Sequence, residues 1–245
     1  MSADIDILGS KRILVLASNP AVSERTGWPV GFWWSEITHP YWAFTQAGYT
    51  VDIASPDGGA LTADAWSDPR DESRYSAADL LSLGFVNSPE HAALLDSTPS
   101  LADVDPAGYS ALLVVGGQAP MYTFVDDERV HRLIAGFYEA GKITAVLCHG
   151  TAALLTTHLS DGTLLVTGKT WTGFANSEED YADAYVGRPI QPFRIEDRAR
   201  ALPDTNFTVS GRFRPHAVRD GLLVTGQQQY SGTAVAELVI QALGR

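Results

Sequence analysis

The sequence predicts an α/β fold, a three-layer sandwich with a mostly parallel sheet and helices on both faces. Short apolar runs alternate with segments of helical periodicity along the chain, and that alternation gives a parallel sheet covered on both sides. Sharp corners follow three of the apolar runs, at Asn19 to Pro29, at Gly116-Gly117 and at Cys148-His149. These are the carboxyl ends of strands, where open α/β sheets bind their ligands.

Taken in order, Arg12 to Ser18 is a short β-branched run that reads as a buried strand, followed by a Gly/Pro-punctuated loop. Ser35 to Gly48 reads as a helix with a glycine stop, since Ile37, Tyr41, Phe44 and Ala47 share one face. Tyr49 to Ser55 is a second strand, turned by Pro56-Asp-Gly-Gly59. The next fifty residues are less regular. They hold a polar loop at Asp68 to Ser73 and helical pieces near Ala77 to Leu83 and Pro89 to Leu95, and residues 60–105 read as a candidate flap over the site. Ala111 to Val115 is a strand and Asp126 to Ala140 a helix with acids in its first turn. Ile143 to Leu147 is the strand before the cysteine, Leu222 to Thr225 a strand after the Asp220-Gly221 turn, and Ser231 to Leu243 a closing helix. With no linker or internal repeat, residues 1–245 read as one domain.

Composition narrows the function. The 245 residues, 45% of them hydrophobic, suffice for a substantial core. A net charge of −12 argues against nucleic acid and against anionic membrane surfaces. One cysteine makes no internal disulfide, and no paired spacing of Cys or His suggests a metal site. Met1-Ser-Ala-Asp-Ile-Asp-Ile7 lacks the basic start and long apolar stretch of a signal peptide, and no segment approaches membrane-span length, so the expectation is a soluble cytoplasmic protein.

The chemistry centres on Cys148, in Ala145-Val-Leu-Cys-His-Gly-Thr-Ala-Ala153. A thiol at a strand-to-helix corner is lifted from the sheet edge, and the amides opening the helix favour its thiolate. His149, the next residue, is a proton acceptor at hand. A lone cysteine is commonly a buried structural one; this position beside His149 reads as a nucleophile. The Gly117 amide and its neighbours offer oxyanion donors. Glu36 sits among Phe32, Trp33 and Trp34, and a carboxyl in so apolar a place stays protonated and shuttles a proton. Glu178 or Glu179 could orient His149 as the third member of a triad; residue order alone does not choose between them. His39 reads as a packing or capping residue. Trp28, Trp33, Trp34 and Trp42 could line a client-binding surface, but read better as core or dimer interface.

These segments, with Glu36 to Phe44, Ala47 to Gly59 and Asp220 to Gly226, resemble the PfpI/ThiJ superfamily, also described as class I glutamine amidotransferase-like. They are most similar to the branch of heat-shock chaperones with glutathione-independent glyoxalase (glyoxalase III) activity, from about Lys11 to the C-terminus. The resemblance implies a flavodoxin-like sheet, a homodimer, no cofactor, and a small 2-oxoaldehyde such as methylglyoxal as substrate. It places Cys148 on the nucleophile, His149 on the histidine that follows it, Glu36 on the acid beside the thiol, and Gly117 on the oxyanion glycine. It favours Glu179, within Thr172 to Glu179, as the triad acid. Trp33, Gln118 and Tyr230 are then expected to shape the substrate pocket. Gly116-Gly-Gln-Ala119 stands where the branch has Gly-Gly-His-Gly, and Gly226-Gln-Gln-Gln-Tyr-Ser231 where it has Gly-x-Asn-Pro-Ala-Ser. Both changes touch the pocket rim. The alternatives are a holdase-type chaperone, or a related cysteine hydratase or hydrolase acting on an isocyanide, amide or peptide.

Overall fold

The computed structural model describes residues 12–244; the Met1 to Ile7 stretch and the Lys11 boundary lie outside them. The central sheet is built from β1 (Arg12–Leu16), β2 (Thr50–Ala54), β3 (Ala111–Val114), β4 (Ile143–Leu147), β5 (Ala217–Asp220) and β6 (Leu223–Gly226). Their order is β2-β1-β3-β4-β6-β5. All neighbours run parallel except β5, an antiparallel edge strand on β6. The main helices are α1 (Trp34–Gln46), α2 (Leu80–Asn87), α3 (Glu128–Glu139), α4 (Asn176–Val186), α5 (Ile195–Ala201) and α6 (Gly232–Ala242).

Every residue of β3, β4 and β6 is buried. Successive strand residues point to opposite faces, so both faces of the sheet are covered. α1 packs along α6, and α3 against β3 and β4. Chain order reverses at β1, which pairs with β2 on one side and β3 on the other. The carboxyl ends of β1, β3 and β4 therefore open side by side at one crevice.

Several elements depart from the sequence reading. α2 starts at Leu80 and runs to Asn87, not from 77 to 83. Asp79 is its cap, accepting from the Ser82 amide and hydroxyl, and His39 of α1 binds the same carboxylate at 2.9 Å. The small-residue helix after β4 is a 3₁₀ helix, Cys148–Leu155. Strand β5 and helix α5 were not anticipated. The four tryptophans do not form one surface. Trp34 is core, Trp42 is 54% exposed on the outer side of α1, Trp28 packs on Trp66 at 5.9 Å, and Trp33 meets Tyr75 in an aromatic group described below.

Candidate active site

Cys148 follows β4 directly and holds a left-handed backbone, φ +56°. That conformation is costly for a side chain with a Cβ and persists only where its surroundings enforce it. Here the Thr151 hydroxyl donates to the Cys148 carbonyl at 2.6 Å, locking the first turn of the 3₁₀ helix. The corner turns the sulfur out of the sheet and into a pocket at the strand ends.

His149 Nδ1 lies 3.6 Å from Cys148 Sγ, and His149 Nε2 lies 3.0 Å from Glu179 Oε1. Phe174 stacks on the imidazole at 4.0 Å. Because a carboxylate only accepts, Nε2 carries the proton and Nδ1 presents its lone pair to the thiol. Glu178 faces away. It accepts from the amides of Ala175 and Phe213 and from Gln227 Nε2, all within 3.0 Å. Both acids are buried rather than solvated, Glu178 held by three donors and Glu179 by the His149 imidazole.

Glu36, in the first turn of α1, is completely buried. Its Oε2 accepts from the Gly116 amide at 2.6 Å. Its Oε1 is buried without a well-aligned partner, and the carboxyl interacts with the Cys148 thiol. Burial pushes Glu36 up to about 8, a rise that the thiol and the Gly116 amide oppose. Burial first, and the nearby Glu36 charge second, also push the Cys148 thiol up; the amides of His149 and Gly117 pull it back. Two adjacent acids in a dry site do not both ionise.

The glycines after β3 are required by this crowding. A Cβ on Gly116 would lie 2.9 Å from both Glu36 Oε2 and Cys148 Cβ. Gly117 has φ +102°, and a Cβ there would collide with the Gly31 carbonyl. Gln118 and Trp33 both line the pocket, the Gln118 Oε1 buried and unpaired.

Tyr230 is a correction. It was expected in the pocket, but lies outside the lining, 46% exposed, in a neighbouring groove. The Gln228 side chain caps the turn by accepting from the Tyr230 amide, which sends the phenol outward and leaves Gln229 at the pocket wall. The variant Gln227-Gln228 pair is thus mainly structural, Gln227 holding Glu178 and Gln228 the Arg214 carbonyl.

Two residues were missed. Gln191 lines the pocket with both amide atoms buried and unpaired. Asp64 is buried beneath the site, its Oδ1 accepting from the Gly31 amide at 2.9 Å and its Oδ2 from the Gln118 amide at 2.6 Å. It clamps the loops after β1 and β3 together, and burial pushes it up to about 7. Asp64→Asn sets an NH₂ against one of those amides, an unpaired donor worth about 1–3 kcal/mol. The expected fall in Tm is roughly 3–10 °C, measurable by calorimetry; an unchanged Tm would show that the clamp is not needed.

Among the described residues, no group of three or more His, Cys, Asp or Glu is placed to hold a metal ion, and no helix is long and apolar enough to cross a membrane.

Fold and site together define an α/β protein with a cysteine at a strand-end elbow. The DJ-1/PfpI family model matches residues 31–242, and the chain belongs to that family. It is 26% identical to a probable glutathione-independent glyoxalase of Schizosaccharomyces pombe, covering 89% of this chain and 92% of that one. It is also 26% identical to glyoxalase 3 of Candida albicans, over 95% and 98% of the two chains. The crystal structure of glyoxalase III from Candida albicans superposes with a TM-score of 0.78 at 23% identity, covering 94% of this chain and 96% of that one, and shows the same fold.

Proposed function

We propose that this chain is a glutathione-independent glyoxalase that converts a 2-oxoaldehyde such as methylglyoxal into its 2-hydroxy acid, with Cys148 as nucleophile. One observation carries the reading. Two different proton carriers meet at one sulfur: an imidazole held by Glu179, and a buried carboxyl, Glu36, that keeps its proton at neutral pH. The glyoxalase names of the relatives support the substrate class.

The steps balance without an added redox partner. The sulfur attacks the aldehyde carbon C1 while His149 Nδ1 takes the thiol proton and returns it to the C1 oxygen, giving a hemithioacetal. The amides of Gly117 and His149 stabilise the negative oxygen as it forms. His149 then removes the C1 hydrogen as a proton. The C1–H electron pair becomes the C1=C2 bond, and the C2 oxygen takes the Glu36 proton, giving an enediol. Protonated His149 delivers its proton to C2, and the C1 hydroxyl returns one to Glu36, leaving a thioester. Water, deprotonated by His149, attacks the thioester; the C1–S bond breaks and the thiol is restored. C1 is oxidised, C2 is reduced, and one water is consumed. The unpaired Gln191 NH₂ is a donor that can serve the second oxygen, and the unpaired Gln118 Oε1 can accept from it once it is a hydroxyl. A positioned acid or base of this kind contributes roughly 10²–10⁴-fold.

The test is product analysis. Purified protein and methylglyoxal, with no added thiol, should yield lactate by NMR. Absence of lactate, or dependence on glutathione, would refute the reading.

A further inference from the structure

We propose that the preferred substrates of this site are 2-oxoaldehydes bearing an aryl or comparably large planar apolar group, gripped by an aromatic collar at the pocket mouth. The inference rests on the glyoxalase reading above and sharpens its substrate. Above the floor of Cys148, His149 and Glu179 stand Trp33, Trp66, Tyr75, Tyr181, Tyr185 and Phe213. They come from the entry to α1, the 65–75 segment, α4 and the loop before β5.

The rings position one another. Trp66 stacks on Tyr75 at 6.1 Å and meets Tyr185 edge-on at 5.5 Å, Trp33 meets Tyr75 edge-on at 6.0 Å, and Tyr181 meets Phe213 edge-on at 5.3 Å. Such spacings are those of preferred aromatic pairs. Yet Tyr75, Tyr181 and Tyr185 remain 39%, 42% and 72% exposed. A converging, half-wet aromatic surface that leads to a reactive group is the form of a binding site rather than of scattered surface residues.

The backbone gives a second, independent sign. Phe213 itself, and Arg74 just before Tyr75, hold left-handed conformations at φ +54° and +56°. Strain of that kind collects at ligand clamps.

The chemistry of the lining selects the substituent. None of the described residues lining the pocket is Lys or Arg, so a carboxylate or phosphate would find no counter-ion. The one acid there, Glu179, is committed to His149. The methyl of methylglyoxal, bound at C1 to the sulfur, touches the floor and leaves the collar in water. A phenyl ring on the same carbonyl extends outward against the collar formed by Trp66, Tyr75 and Tyr185. Each favourable ring contact is worth about 2- to 12-fold in affinity.

The experiment compares phenylglyoxal with methylglyoxal by initial rates of mandelate and lactate formation, using Cys148→Ala protein as the blank. Wild type should prefer phenylglyoxal by at least about tenfold in kcat/KM. Trp66→Ala and the surface variant Tyr185→Ala should each reduce that ratio several-fold, chiefly through KM. A wild-type ratio near or below one, or a ratio unchanged in both variants, overturns the inference. Binding separates this from the catalytic reading. On Cys148→Ala protein, followed by tryptophan fluorescence, 1-phenylpropane-1,2-dione should bind at least about tenfold more tightly than butane-2,3-dione. Equal binding refutes the collar whatever the turnover; loss of turnover on both aldehydes with tight aryl binding refutes the glyoxalase reading alone.

Discussion

Cys148→Ala is expected to bring methylglyoxal turnover down to the rate in buffer, a fall in kcat/KM beyond about 10⁴-fold, since groups that act through a nucleophile lose their effect with it. His149 and Glu36 remain in that variant, but no bond holds the aldehyde carbon between them. The fold is expected to persist. Alanine keeps the Cβ that the corner already accommodates at φ +56°. The Thr151 bond to the carbonyl of residue 148 does not involve the sulfur. Tm should therefore move by only a few degrees. Cys148→Gly is an informative companion, equally inactive yet relieved of a left-handed side chain that costs on the order of 1–3 kcal/mol. Lactate formation within a few-fold of wild type in either variant would end the mechanism.

How much of this was legible in the sequence follows from the range of the interactions involved. β4 and the Cys148 corner are local: an apolar run breaks at Cys-His-Gly, and neighbouring residues set that geometry. The burial of Glu36 was legible because Phe32, Trp33 and Trp34 precede it in the sequence, whereas its partners, the Gly116 amide and the Cys148 thiol, are distant in the chain. Glu178 and Glu179 could not be separated from residue order, since both sit in the first turn of α4 and only their distant partners tell them apart. Glu179 meets His149, 30 positions away; Glu178 meets Gln227, 49 positions away. Asp64 and Gln191 were invisible for the same reason. Asp64 lies in an irregular segment, and its role is defined by the Gln118 amide, 54 positions on. Tyr230 misled because resemblance located a loop but not the capping bond that turns its side chain outward.

Glu36→Gln should separate what the buried acid does for catalysis from what it costs the fold. Glutamine retains an oxygen for the Gly116 amide and an NH₂ to donate to the sulfur, but it cannot give up and recover a proton. kcat is expected to fall by roughly 10²–10⁴-fold with little change in KM, as for loss of a positioned acid. The wild-type decline in kcat as Glu36 ionises near pH 8 should vanish with it. Stability should move the other way. The folded-state pKa of Glu36 is raised from 4.5 to about 8, so the folded chain binds that proton more tightly than the unfolded one. Its contribution is fully present below pH 4.5, is lost as pH rises toward 8, and is flat above. Glutamine suffers no such loss. The variant should thus match wild type near pH 5 and exceed it at pH 8.5 by on the order of a few kcal/mol, read as a widening difference in Tm by calorimetry. Asp64, buried nearby and raised by the same cause, titrates in both proteins and largely cancels from the difference. Parallel Tm curves from pH 5 to 8.5 would mean that Glu36 is already ionised in the folded protein. A carboxylate there has no proton for the C2 oxygen, and the relay that distinguishes this site from a simple cysteine hydrolase would be lost.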